Sequence, residues 1–164
     1  MITVIWFAIF QSLLGSFDTL YFHEYKLKLP ENNFAKRELR LHALRDYAYA
    51  IIFFTFGWLE WHGIFAVVFL IIILTEIIIT VLDFIEEDVI RKLPPGERAM
   101  HTIMAIIYGG LLSQLAPLIY CWWQQNSKIT TVDHGYLSWV MTFFSAGVLV
   151  SGIRDLIAGN KLKK

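Results

Sequence analysis

The chain has a single cysteine, only four prolines and no net charge in 164 residues. With Cys121 alone no intramolecular disulfide can form, and the redox compartment is not revealed. A net charge of zero removes any general attraction to nucleic acid, so no nucleic-acid partner is expected. There is no low-complexity segment, and no linker is longer than the polar stretch Gln124–Asp133, so residues 1–164 read as one domain. No nucleophile elbow, phosphate loop or His-Glu-x-x-His metalloprotease motif is present. No basic segment precedes the first apolar run and no small-residue cleavage site follows it. Met1–Phe17 is therefore expected to be a retained span rather than a signal peptide.

What the chain has in abundance is apolar side chains, at 57% of residues, against about 45–50% in soluble domains even with glycine counted. The expected fold class is an all-α integral membrane protein. Five stretches reach or approach the roughly 20 residues that cross a hydrocarbon core: Ile2–Phe22, Tyr47–Trp61, Ile64–Phe84, Ile103–Trp123 and Leu137–Leu156. The second has the shortest uncharged run. Five spans put residues 23–46, 85–102 and 157–164 on one face, which carries on it or at its edge every Lys and Arg except Lys128. Lys and Arg accumulate on the cytoplasmic side, so the N-terminus is expected outside and the C-terminus inside, in a bacterial inner membrane. The basic loops suit anionic lipid heads or a protein partner at the cytoplasmic face.

The helices are expected to outrun the bilayer. Helix 1 should continue to Pro30, where the missing N–H stops it, and Asn32 or Asn33 should cap helix 2. Helix 3 should run through "EEDVIRKL" to Pro94, and "PPGER" should turn the chain into helix 4. Helices 1 to 4 then form a bundle extended past the cytoplasmic face.

Two of these helices begin with the same pattern, "ELRLH" with Glu38 and His42, and "ERAMH" with Glu97 and His101. Residues four apart share one helical face, so each helix can offer both side chains to one metal centre. Helix 3 adds Glu76, Thr80, Asp83 and Glu87 as one continuous stripe. Helix 1 adds Asp18, His23 and Glu24, which cannot all face the same way on a regular α-helix. Alternating topology brings the candidate ligands to one membrane depth.

The expected metal ligands are Glu38, His42, Asp83, Glu87, Glu97 and His101, completed by Asp18, His23 or Glu24, with one carboxylate bridging. Arg45 and Asp46 should orient ligands from behind. Glu76, about 10 Å deeper than Asp83 at 1.5 Å per residue, is expected to be a protonated or supporting carboxyl, because a charge there is costly. Carboxylates with imidazoles suit two divalent ions, with iron favoured and manganese or zinc possible. Tyr21, Tyr25, Tyr47, Tyr49 and Tyr108 lie near this region but read first as interfacial aromatics. Glu86 and Asp88 read as solvated charges beside Arg91 and Lys92, and Gly109, Gly110 and Pro117 as close packing and a kink. A lesser metal site at the other face would use Glu60, His62, Asp133 and His134.

The ligand set is similar to that of di-iron and di-manganese carboxylate bundles, which use Glu-x-x-His. Here the spacing is Glu-x-x-x-His, twice, so the analogy extends to ligand chemistry rather than geometry. The chain lacks the numerous His clusters of membrane desaturases and hydroxylases. The pattern "FDTLYFHE…ELRLHALRD…EEDVIRKLPPGERAMHT" resembles a family of uncharacterised bacterial multi-pass membrane proteins, a resemblance that implies no activity.

The leading functional expectation is an oxidoreductase acting on a lipid-phase molecule such as a quinone, acyl chain or isoprenoid. The alternatives are a zinc-dependent lipid hydrolase, a cation or proton transporter along Glu76, Asp83 and Glu87, and an accessory subunit of a membrane complex. The bland reading of the cluster is an interfacial ion network with Arg37, Arg40, Arg45 and Arg98.

Overall fold

The computed structural model describes residues 1–162; Lys163 and Lys164, part of the charge asymmetry above, lie outside the described residues. Five long helices dominate: α1 (Ile2–Phe17), α2 (Lys36–Trp58), α3 (Ile64–Ile90), α4 (Pro95–Trp123) and α5 (Tyr136–Lys161). They alternate in direction, so one end of the bundle gathers the end of α1, the start of α2, the end of α3, the start of α4 and the end of α5. The opposite end is closed by a two-stranded antiparallel ribbon, β1 (Leu59–His62) with β2 (Lys128–Thr131), pairing Leu59 with Thr131 and His62 with Lys128. The ribbon takes Leu59–Trp61, expected to end the second span, and residues Lys128–Thr131 of the polar stretch Gln124–Asp133. Gly63 leaves β1 at φ 59° and opens α3; a Cβ there would lie 2.4 Å from Ser127 Oγ, so only glycine fits both the angle and the space.

Four helices are long and apolar enough to cross a membrane: α1 with its extension, α3, α4 and α5. The second expected span is the exception. At 23 residues, α2 is about 34 Å long, but its first half carries Lys36, Arg37, Glu38, Arg40, Arg45 and Asp46. It can hold them because it packs mainly on α5 and α3.

The α2–α5 contact is built at seven-residue spacing on small residues of α5, Gly159, Gly152, Ser145 and Ser138, which lie against the backbone carbonyls of Lys36, Ala43, Ala50 and Gly57 of α2. A seven-residue period keeps a seam facing its partner in a left-handed supercoil, and small side chains let the backbones approach. Ser138 Oγ donates to the Gly57 carbonyl at 2.6 Å and Ser145 Oγ to that of Ala50 at 2.7 Å. Elsewhere, Gly110 lies under the Phe7 ring, close packing of the kind expected for it. The apolar core, centred on Ile5, Ile52, Phe56, Phe69, Leu111, Leu115 and Met141, occupies the ribbon half of the bundle.

Helix ends differ from expectation in three places. Helix 1 does not run to Pro30 as an α-helix: it widens into a π-helix over Asp18–Lys26 and stops before Lys28, which turns the chain at φ 49°. Asn32 does not cap α2; its amide turns back to donate to the carbonyls of Leu27 at 2.7 Å and Lys28 at 3.1 Å. The bond to Leu27 satisfies an acceptor orphaned by the end of the first helix, and the Lys28 carbonyl also takes the Glu31 N–H at 2.9 Å. α3 ends at Ile90 rather than at Pro94, and α4 starts at Pro95 with Glu97 in its first turn.

Candidate metal centre

Eight of the nominated side chains meet at the end of the bundle away from the ribbon, and all eight are buried: Asp18, His23, Glu38, His42, Asp83, Glu87, Glu97 and His101. Each helix places its pair by its own geometry. On α2 and α4 the four-residue step puts Glu38 above His42 and Glu97 above His101; on α3 the same step aligns Asp83 with Glu87. Asp18 and His23 are five apart, and at about 100° per residue an α-helix would hold them roughly 140° apart. The π-helix bonds i to i+5 and so brings both inward. Asp18 Oδ2 lies 3.5 Å from His23 Nε2 and 3.2 Å from His101 Nε2.

Glu24 leaves the cluster; it pairs with Arg154 at 3.0 Å. Its expected role as an alternative ligand is corrected by the turn width, which sends position 24 around the helix once 18 and 23 face in.

The ligand atoms fall into two groups. His23, Glu87, Glu97 and His101 each offer an atom within 4.8 Å of the others, and Glu38, His42 and Glu87 form a second such group. Glu87 is common to both. Asp83 stands beside the second group rather than in it, 3.2 Å from His42 Nε2 and 2.6 Å from Arg45 Nη1. Two stacks hold the imidazoles flat: His23 on His42 with ring centres 4.7 Å apart, and His101 on Phe84 at 5.0 Å.

Several atoms that converge here have no hydrogen-bond partner among the described residues: both Glu87 oxygens, Glu38 Oε2, His23 Nε2, His42 Nε2, Asp18 Oδ1 and Asp83 Oδ1. Buried polar atoms are nearly always paired, and a lone orphan costs about 1–3 kcal/mol. Carboxylate and imidazole atoms left without partners in one buried cluster are of the donor types a divalent cation takes.

Two contributors were not expected from the sequence. Arg91, read as a surface partner of Glu86 and Asp88, turns inward with its side chain 8% exposed. It donates to both Glu97 oxygens at 2.9 and 2.7 Å and to Glu38 Oε1 at 2.9 Å, bridging the two groups from the α3–α4 turn. Burial opposes its charge, but the carboxylates of Glu97 and Glu38 more than offset that and hold the guanidinium above its ordinary range. Glu86 instead meets Arg37 at 3.2 Å, and Asp88 is exposed. Asp155, on α5, sends Oδ2 to within 3.9 Å of His42 Nδ1, on the ring edge opposite the ligand atom. The small-residue repeat that seats α5 on α2 was the only sequence signal that could have pointed to it.

Of the supporting residues, Arg45 holds Asp83, whereas Asp46 faces α5 against Gly152. Glu76 is fully buried and takes the hydroxyls of Thr80, at 2.7 Å, and Tyr108. At the ribbon end, Glu60 meets His62 at 3.1 Å and Asp133 accepts the Gly135 N–H. No group of three ligands forms there among the described residues.

Comparison of the chain with protein-family models, with curated proteins and with solved structures finds no match.

Proposed function

We propose that this protein is a five-span membrane metalloprotein with a dinuclear carboxylate–histidine centre at the cytoplasmic end of its bundle, acting as an oxidoreductase on a lipid-phase molecule. The observation that carries the reading is the sharing of Glu87 between two ligand groups in which both Glu87 oxygens, Glu38 Oε2, His23 Nε2 and His42 Nε2 lack hydrogen-bond partners among the described residues. One ion would be held by His23, Glu97 and His101, the other by Glu38 and His42, with Glu87 bridging. Asp18 and Asp83 border the two positions. Nitrogen and oxygen donors without thiolate favour iron, with manganese or zinc accepted by the same set. Redox-capable ions would supply one-electron steps beside the membrane. The chain's own residues would hold the ions and, through Arg91 and Arg45, orient carboxylates and balance their charge.

Asp18, Glu38, Asp83, Glu87 and Glu97 share the cluster with the guanidiniums of Arg45 and Arg91, which leaves three negative charges, one short of the four positive charges of two divalent ions. Protonation of His23, His42 and His101 would neutralise the same three charges, and that metal-free ion network is the rival reading. Membrane insertion is supported by four apolar helices and by large side chains such as Phe10, Ile71, Ile78, Ile106, Phe143 and Val150 that face outward. The asymmetry of Lys and Arg supports N-terminus out and the centre at the cytoplasmic side of a bacterial inner membrane.

Elemental analysis of detergent-purified wild type and His101→Ala, with optical spectra, tests the proposal. About two transition-metal equivalents in wild type, reduced in the variant, is the expected result. Wild type that stays folded and metal-free after reconstitution with ferrous, manganous and zinc ions would sink it and leave the ion network.

A further inference from the structure

A second polar layer repeats the metal-centre layer deeper in the bundle. Gln11, Tyr49, Glu76 and Tyr108 each lie seven residues along their own helix from a cluster side chain: Asp18, His42, Asp83 and His101 respectively. Seven residues keep nearly the same helical face and shift it by about 10 Å, so four helices carry this layer into the apolar part of the bundle. At its centre Glu76 is fully buried. One oxygen takes the Thr80 hydroxyl at 2.7 Å and the other takes the Tyr108 hydroxyl. Tyr49 lies beside both Glu76 and Gln11 and meets the Tyr108 ring edge-on, with ring centres 6.1 Å apart. An acid at this depth is costly, and such residues are usually in use.

We infer that Tyr108 is a redox-active phenol that passes single electrons from a lipid-phase donor to the metal centre, with Glu76 keeping its proton in the meantime. The inference deepens the oxidoreductase reading and rests on it for the oxidant, an ion of the centre raised above its resting oxidation state by dioxygen or peroxide. In the forward step the Tyr108 O–H bond breaks. Its proton moves along the existing hydrogen bond to Glu76 Oε2, one electron reduces the oxidised ion by one unit, and the ring is left as a neutral phenoxyl radical. In the return step the lipid-phase donor loses one electron to the radical, Glu76 hands the proton back and the O–H bond re-forms. Burial favours this coupling. A phenol oxidised with its proton in place would leave a cation in an apolar interior, whereas carboxylate and phenol turning into acid and phenoxyl removes the buried charge of the pair. Tyr108 is half-buried, so part of its ring is open to a donor in the lipid, and along α4 it stands about 10 Å from His101, within reach of direct electron transfer.

Electron paramagnetic resonance of ferrous-loaded protein in lipid nanodiscs, frozen after mixing with dioxygen or hydrogen peroxide, tests it. Wild type should give a radical signal that narrows when its tyrosines are ring-deuterated. Tyr108→3-fluorotyrosine keeps the ring and hydroxyl, and so the fold, and should add a fluorine splitting to that signal. Tyr108→Phe should lower the radical yield at least tenfold, and Tyr49→Phe less than twofold. Glu76→Gln, which removes the proton acceptor, should shorten the radical's life at least tenfold. A tyrosine signal without the fluorine splitting, or one that Glu76→Gln leaves unchanged, would overturn the inference and leave the pair as a tie between helices. Photo-oxidation by a ruthenium polypyridyl with persulfate supplies an electron acceptor that does not depend on the centre. Protein that binds no iron yet shows the Glu76-dependent signal at Tyr108 under illumination would sink the dinuclear centre while leaving the phenol and its proton acceptor standing. Iron-loaded protein whose Tyr108 gives no signal with dioxygen or peroxide would sink the electron relay alone.

Discussion

Replacing Glu87 by glutamine separates a metal centre from an ion network by the sign of its effect. Both Glu87 oxygens are buried without hydrogen-bond partners among the described residues. The nearest positive or potentially positive groups are His101 at 3.5 Å, Arg91 at 3.6 Å and His42 at 3.9 Å. If this carboxylate exists to bridge two ions, then without them it is an under-compensated buried charge, and Glu87→Gln should relieve about 1–3 kcal/mol. For a chain of this length each kcal/mol moves Tm by about 2–4 °C, so the metal-free variant should melt roughly 2–12 °C above metal-free wild type. Adding ferrous or manganous ion should reverse the order, because binding to wild type at about 100 times Kd adds about 2.7 kcal/mol and the variant lacks the shared ligand. Stoichiometry carries the same signature: Glu87→Gln should lose both equivalents together, whereas Glu38→Gln should weaken only one. Thermal melts with and without chelator, alongside elemental analysis, make the measurement. A metal-free Glu87→Gln that melts below wild type would refute the reasoning, since it would mean that the charge is satisfied by imidazolium and guanidinium neighbours.

Arg91→Gln should destabilise the protein by about 3–5 kcal/mol with or without metal, because it strips the donors from Glu38 and Glu97; Arg91→Lys should recover only part, having no planar fork, as chemical or thermal unfolding would report. Gly152→Val should cost about 1–3 kcal/mol by overpacking, since a Cβ there meets Asp46 Cβ at 3.0 Å and the Ala43 carbonyl at 3.2 Å. Bound metal per folded molecule should not change in that variant. Metal affinity should fall as pH drops from 7.5 to 5, because protons compete for the imidazole and carboxylate ligands; retention after dialysis at the two pH values checks it, and equal retention would count against His23, His42 and His101 as ligands.

Much of the arrangement was readable because helical phase is local. Glu38 with His42, and Glu97 with His101, share faces by spacing alone, and the Asp83–Glu87 stripe follows from the same rule. The charge asymmetry, with alternating helices, then brought them to one end. The places where sequence reading failed are those where phase is not local. A regular α-helix cannot present Asp18 and His23 together, and nothing in "FDTLYFHE" announces the wider turn that does so. Arg91 sits between Glu86, Asp88 and Lys92 in an exposed-looking run, and only the folding of the α3–α4 turn over the bundle end directs it inward. The repeat of Ala43, Ala50 and Gly57 against Ser138, Ser145 and Gly152 was present in the sequence, but it identifies a partner only once the two helices are placed side by side.

By itself the sequence determined the helices, their apolar faces and the two Glu/His pairs, because hydropathy and the 3.6-residue period act within one segment. Tertiary structure alone decided that Glu87 serves both ligand groups, that Arg91 bridges Glu38 and Glu97, that Asp155 stands behind His42, and that Glu24 turns away. Those outcomes depend on which face of one helix opposes which face of another. That choice is made by small-residue packing between α2 and α5 and by a change of helical pitch in the extension of α1.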